Sequence, residues 1–408
     1  MFYSIAIYTY MLAVILVSPF NKKAWALVKG HVETFRILRK KIEKGSRYVW
    51  FHAASLGEFE QGRPLIERFR REHPEYKILL TFFSPSGYEV RKNYEGADVV
   101  CYLPFDTPGN VHSFMRLVHP EMAFFIKYEF WANFLSACKK RDIPVYSVSS
   151  IFRKDKVFFK WYAYSYAKVL KNIDHFFVQD EESANLLATK GIRQNVHIVG
   201  DTRFDRVVDI CAQAKELPLV EEFIKGAETV LVAGSSWEPD EDLILPYFNK
   251  QPKMKLILAP HVISESHLHL IENKLKRPFV RYTETTPEDV NKADCLIINC
   301  YGLLSSIYRY GQIAYVGGGF GVGIHNVPEA AVYGVPVLIG PNNKGFREAQ
   351  DLLRMGGCYE IDSSTIFNAV MDRLRKDKNL RSSRGEICRE YIMSNAGATD
   401  MIFKILNL

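Results

Sequence analysis

The chain has 408 residues, 48% hydrophobic and 24% charged, with a formal net charge of +7. This is the make-up of a folded protein of two or three domains, and it excludes a disordered or low-complexity chain. The mild basic excess suits an anionic membrane surface or an acidic substrate, while the lack of basic runs with interleaved aromatics and of any zinc pattern speaks against a nucleic-acid partner.

Residues 2–20 carry no charge and are mostly apolar and aromatic. At about 1.5 Å per residue, such a helix just spans a hydrocarbon core. Lys22, Lys23, Lys29, Arg36, Arg39, Lys40, Lys41 and Lys44 follow it. By the positive-inside rule, the bulk of the protein then lies in the cytoplasm. A secretory signal fits less well, because no basic stretch precedes the apolar core and no clear small-residue cleavage site follows it. Residues 1–22 are therefore expected to form a membrane anchor or monotopic helix. The competing reading is a hydrophobic helix docked on the protein itself. Seven cysteines stand singly along the chain, with no C-x-x-C pair. That fits buried thiols in a reducing compartment and no cysteine metal site.

From residue 46 a strand–helix rhythm begins. Short apolar runs at 48–53, 77–83, 99–103, 122–126, 145–149 and 175–178 alternate with amphipathic stretches such as 65–71 and 131–140. Buried runs alternating with helices predict a parallel sheet covered on both faces. The rhythm pauses after residue 201, and a polar stretch through Leu217-Pro218 reads as a linker. A second series follows at 230–233, 255–259, 279–281, 295–298, 313–316 and 337–339. The expected fold is α/β: two doubly wound domains, 46–208 and 219–390, facing each other across a cleft. Residues 391–408 form a C-terminal helix expected to pack back on the first domain.

The first strand ends in His52-Ala53-Ala54-Ser55-Leu56-Gly57-Glu58. Ser55-x-x-Glu58 has the spacing of a capping box. Pro64 argues for a later start, because a helix from residue 56 would carry it in its interior, whereas one from about 62 holds it in the first turn. Glu58 is then expected on a loop, facing the cleft, with burial raising its pKa toward that of a general base. His52 reads as a strand-end structural residue. Lys127-Tyr128-Glu129-Phe130-Trp131, Gly200 to Asp205, Gly234-Ser235-Ser236-Trp237 and Ala259-Pro260-His261 all end strands and share one rim in this fold. The small-residue turn at Ser235-Ser236 suits a phosphate.

The stretch that organises the second domain runs from Tyr315 to Arg347. After a buried strand come Gly317, Gly318, Gly319, Gly321 and Gly323, whose backbone turns sharply and approaches a ligand closely. His325-Asn326-Val327-Pro328-Glu329 then reads as a helix start, with Asn326 as N-cap and Pro328 in the first turn. Such a start favours an anion. Glu329 has a bland alternative as the acid of a capping box. The spacing matches neither a dinucleotide fingerprint nor a P-loop.

These residues together resemble the 3-deoxy-D-manno-octulosonic acid (Kdo) transferases, membrane-associated glycosyltransferases of lipopolysaccharide assembly. The resemblance covers nearly the whole chain. Ser55-Leu56-Gly57-Glu58 and Gly323-Ile324-His325-Asn326 carry it most specifically, with Tyr128-Glu129-Phe130-Trp131, Gly200 to Asp205, Gly234-Ser235-Ser236 and Ala259-Pro260-His261. It implies a GT-B fold, CMP-Kdo as donor, a lipid A precursor (lipid IVA) as acceptor, and inversion without a metal or cofactor, at the cytoplasmic face of the inner membrane. Glu58 falls on the family's base, and Glu329 where GT-B enzymes hold the nucleotide ribose. Ser235, Ser236, Pro260, His261, Gly317, Gly318, Gly319, His325 and Asn326 fall on the donor site. Arg63, Glu129 and Arg203 are candidates for the acceptor or the Kdo carboxylate. His261 departs from the arginine usual after that proline, and Asn326-Val327-Pro328-Glu329-Ala330 from the usual Asn-Pro-Leu-Glu-Pro. Another GT-B enzyme, a UDP-sugar transferase or nucleotide-sugar epimerase, is the alternative.

Overall fold

The computed structural model describes residues 2–160 and 167–408. Residue 1 of the expected anchor and residues 161–166 of the expected first domain lie outside them. The chain divides into two compact units, Met1–Arg206 with Ala396–Leu408, and Val207–Asn395. The first crossing falls inside the helix Arg203–Ala212.

Unit 1 begins with helix α1 (Phe2–Val17), a 3₁₀ turn, and helix α2 (Lys22–Lys41). Asn21 caps α2, its side chain accepting from the N–H groups of Lys23 and Ala24. A seven-stranded parallel sheet follows: β1 (Arg47–Ala53), β2 (Tyr76–Phe82), β3 (Val99–Tyr102), β4 (Pro120–Ile126), β5 (Val145–Ser150), β6 (His175–Val178) and β7 (Val196–Ile198). Their spatial order is β3-β2-β1-β4-β5-β6-β7. β1 is buried from Tyr48 onward because both sheet faces are covered. Tyr48 and Trp50 pack on one face with Phe114 and Phe134. Val49 and Phe51 pack on the other with Phe69 and, from the far end of the chain, Ala398, Ile402 and Phe403 of helix Ala398–Leu406.

Unit 2 repeats the plan with β8 (Thr229–Ser236), β9 (Met254–Pro260), β10 (Phe279–Arg281), β11 (Cys295–Ile297), β12 (Ile313–Val316), β13 (Val337–Ile339) and β14 (Cys358–Glu360). All are parallel, in the order β10-β11-β9-β8-β12-β13-β14. In each sheet the winding reverses beside the first strand: between β1 and β4 in unit 1, and between β8 and β12 in unit 2. Loops leaving the carboxyl ends of such a pair splay apart, which opens a crevice for a ligand.

One expectation fails here. The helix after β1, α3, runs from Leu56 to Glu72 with Pro64 inside it. An internal proline costs about 3 kcal/mol through its missing N–H. Against that, α3 buries Phe59, Leu65, Ile66 and Phe69 on the sheet, each side chain worth roughly 1.5–3 kcal/mol. Ser55 caps its start by accepting from the Glu58 N–H. Tertiary packing outweighs the local proline rule.

Candidate active site

Glu58 occupies the first turn of α3, not a free loop. Its Oε2 accepts from the Ala54 N–H at 2.6 Å, so it does part of the work of a capping acid as well. The side chain sits at the β1–β4 crevice and is only 8% exposed. Burial pushes its pKa up to about 7, and the nearby Glu129 carboxylate pushes the same way. The Ala54 N–H and the Lys127 charge oppose the rise without cancelling it. A carboxyl held near neutrality is the state a proton acceptor needs at physiological pH.

The loop after β4 supplies the rest of this corner. Lys127 has φ 63°, a left-handed backbone that non-glycine residues seldom adopt. Its carbonyl accepts from the Ser150 hydroxyl at 2.7 Å. The Trp131 indole N–H is shared between Glu129 Oε2 at 3.1 Å and His52 Nε2 at 3.2 Å. His52 must then carry its proton on Nδ1, which faces Thr81 Oγ1 at 2.9 Å. With 0% exposure and both nitrogens committed, His52 is structural, as its sequence position predicts.

The two candidate cations already hold protein carboxylates. Arg63 Nε lies 2.7 Å from Glu67, and Arg203 Nε 2.8 Å from Asp201. Asp201 also accepts from Gln61 Nε2 and the Arg203 N–H. Asp205, grouped in the sequence with the cleft candidates, accepts from the Thr399 N–H and hydroxyl, each at 2.6 Å, and from the Gly397 N–H. Its task is to fasten helix Ala398–Leu406. Its partners lie more than 190 residues away, and no local pattern gives that away.

In unit 2 the glycine loop lies at the β8–β12 crevice. A Cβ on Gly317 would stand 2.3 Å from the Ser235 carbonyl, and one on Gly319 would stand 2.5 Å from Gly340 Cα. The loops after β8, β12 and β13 therefore touch backbone to backbone, which only glycine permits. Gly318 (φ 92°) and Gly323 (φ 108°) supply the left-handed turns. Ser235 also has a left-handed backbone, at φ 52°.

The residue that orders this loop is one the sequence reading missed. Asp240 is 1% exposed. Its Oδ2 accepts from the N–H groups of Trp237 and Gly318, both at 2.9 Å, and its Oδ1 from the Tyr315 hydroxyl at 2.7 Å. Trp237-x-x-Asp240 has the spacing of an acid three residues into a helix reaching back to the cap, so that half was legible. On the rim, the His261 ring stacks between Trp237 (4.7 Å) and His325 (4.6 Å). The Trp237 indole N–H donates to His325 Nε2 at 3.2 Å. Burial and the adjacent His261 lower the His325 pKa. Pro260, Gly317, Gly318 and Gly319 are buried beneath this rim.

Two local expectations change. The helix after the glycine loop is only five residues long, Val327–Ala331, and Asn326 stands at its cap position without a side-chain cap bond. Instead Asn326 Nδ2 donates to Glu329 Oε1 at 2.7 Å. Glu329 thus bonds a side chain where a capping box would have it bond the backbone. Likewise the Ser236 hydroxyl turns inward and donates to Glu241 Oε1 at 2.9 Å.

Residues 30–206 match the family 3-deoxy-D-manno-octulosonic-acid transferase (kdotransferase). A transferase of that name from Aquifex aeolicus is 29% identical over 78% of this chain and 83% of its own length. Those from Haemophilus influenzae (88% and 86% covered) and Chlamydia trachomatis serovar D (92% and 90%) are each 24% identical. Among solved structures, UDP-GlcNAc 2-epimerase from Neisseria meningitidis covers 88% of this chain and 99% of its own, with TM-score 0.61 at 14% identity. MurG from Acinetobacter baumannii covers 88% and 99%, with TM-score 0.54 at 10% identity. The two sheets are those of the GT-B fold, and the chain is similar to glycosyltransferases of the Kdo transferase family.

Proposed function

We propose that this Kdo transferase relative moves Kdo from CMP-Kdo to a lipid A precursor, with inversion and without a metal, at the cytoplasmic face of the inner membrane. The observation that carries the reading is Glu58: a buried carboxyl at the β1–β4 crevice, with its pKa lifted to about 7. The acceptor is a sugar hydroxyl, a weak nucleophile until its proton is removed. In the proposed step the acceptor oxygen bonds the anomeric carbon of Kdo as the bond to the CMP phosphate oxygen breaks. Glu58 takes the proton, and the phosphate leaves with the bonding electron pair.

Unit 2 is proposed to hold the donor. Gly317, Gly318 and Gly319 let the CMP phosphate approach the backbone, with Ser235, Ser236, Pro260, His261, His325 and Asn326 around it. Glu329, which accepts from Asn326 Nδ2, is proposed to accept the ribose hydroxyls as well. Glu129 is assigned to the acceptor side, and Arg63 and Arg203 to the Kdo carboxylate. That carboxylate would have to displace Glu67 or Asp201 from its arginine, a direct competition between like groups.

The test is purified protein with CMP-Kdo and a lipid A precursor, products read by mass. An acceptor heavier by one or more Kdo units is expected. Turnover of UDP-sugars with none of CMP-Kdo would overturn the reading in favour of another GT-B activity.

A further inference from the structure

Helix α1 is apolar all round, yet its burial is one-sided. Tyr3, Ile7, Met11 and Val14 are half-buried and Ser18 is buried, at the four-four-three-four spacing of a single helical stripe. This stripe is docked on unit 1 from end to end. The Tyr3 hydroxyl donates to Asp106 Oδ2 at 2.8 Å and accepts from the Ala132 N–H. Met11 and Val14 pack on Leu27, Tyr102 and Phe105. From Tyr3 to Val14 the contact runs about 16 Å along the domain.

The opposite stripe faces away. Ile5, Tyr8, Leu12, Ile15 and Leu16 are exposed, and Phe20 just beyond is 92% exposed. On α2 the outward residues continue this surface in a mixed pattern: Lys22, Trp25, Lys29, Val32 and Arg36. Residues 21–45 carry eight Lys or Arg against Glu33 and Glu43. Apolar side chains flanked by lysine and arginine are the make-up of a helix lying at an anionic lipid interface.

A helix that crosses a bilayer delivers its two ends to opposite faces. Here the end that would have to cross is the one bonded to Asp106 and Ala132. We propose that α1 lies in the plane of an anionic lipid leaflet, its outer stripe sunk among the acyl chains, with both ends on the side of unit 1. This deepens the membrane placement proposed above and is independent of which sugar is transferred.

The test uses the full-length chain carrying a neutral N-terminal epitope with a protease site, expressed in a Gram-negative host. Protease is added to spheroplasts and, separately, to inverted inner-membrane vesicles. The in-plane arrangement predicts loss of the epitope in inverted vesicles and its protection in spheroplasts. Epitope loss in spheroplasts, with the rest of the chain protected, would overturn it and leave the membrane reading standing as a spanning anchor. In a second arm, purified protein is floated with vesicles of phosphatidylcholine alone or mixed in equal parts with phosphatidylglycerol. Binding to the mixed vesicles is expected, weakened by salt, and reduced roughly tenfold or more by Lys29→Glu with Arg36→Glu. Equal binding to both compositions would refute the anionic leaflet, and lipid-free self-association that Leu12→Asp abolishes, without any vesicle binding, would refute the lipid partner and the membrane placement together.

Discussion

Replacing Glu58 with Gln makes two predictions that a single assay would confound. The first is kinetic. Gln keeps the shape and can still accept from the Ala54 N–H, but it takes no proton, so turnover at saturating donor falls by about 10²–10⁴-fold. The second is thermodynamic. The Glu58 pKa rises from 4.5 to about 7 on folding. Between those values the folded chain keeps a proton that the unfolded chain has released, so stability falls as pH rises through that window. The cost is absent below about pH 4.5 and complete above about pH 7, where it reaches roughly 3 kcal/mol. Gln carries none of it. Melting temperature measured from pH 4.5 to 8 should therefore show Glu58→Gln gaining on the parent, by several degrees at roughly 2–4 °C per kcal/mol. Donor affinity should stay near that of the parent. A melting difference that does not change with pH would refute the raised pKa. Near-normal turnover would refute the base and move attention to Glu129, the other carboxylate of this corner.

Glu129→Gln removes the second cause of that shift, so the rising limb of the pH–rate profile should move to lower pH; an unmoved limb would mean the two carboxylates do not interact. Glu329→Ala should weaken CMP affinity by more than tenfold with little change in melting, because its carboxylate is bonded to the Asn326 side chain at the end of a five-residue helix; unchanged affinity with a lower melting point would leave it a structural residue. Gly319→Ala drives a Cβ to 2.5 Å from Gly340 Cα, and CMP binding should be lost while unit 1 melts as before; full affinity would show that these loops separate freely. Asp205→Ala should release helix Ala398–Leu406, read as early proteolysis of the C-terminal residues and a loss of about 2–4 kcal/mol from three bonds; a protease-resistant C-terminus would count against the tether.

The alternation of apolar runs with helices was enough to read twelve of the strands, because strands buried on both faces are continuous in sequence. β7 and β14 escaped. Each is a three-residue strand at a sheet edge, and each carries a polar residue, His197 or Glu360, where an apolar run would be looked for. The Glu58 loop was found for a sound reason and misplaced for another. Its position at a strand end was legible, but the proline rule is local and the packing of Phe59 and Phe69 is not. Asp240 and Asp205 were out of reach because their decisive partners, Gly318 and Gly397, lie 78 and 192 residues away. Side chains that fasten distant loops leave no periodic trace.

The helix Ala398–Leu406 has a consequence for how the chain is made. Its Ala398, Ile402 and Phe403 complete a hydrophobic cluster whose other members, among them Phe51, Phe69 and Phe124, leave the ribosome far earlier. All of Val207–Asn395 is translated in between. At about 5–20 residues per second, that interval is roughly 10–40 s. Throughout it the sheet face beside α3 is uncovered, and the Asp205 carboxylate waits for the groups it will bind. A domain whose sequence starts first is thus finished second.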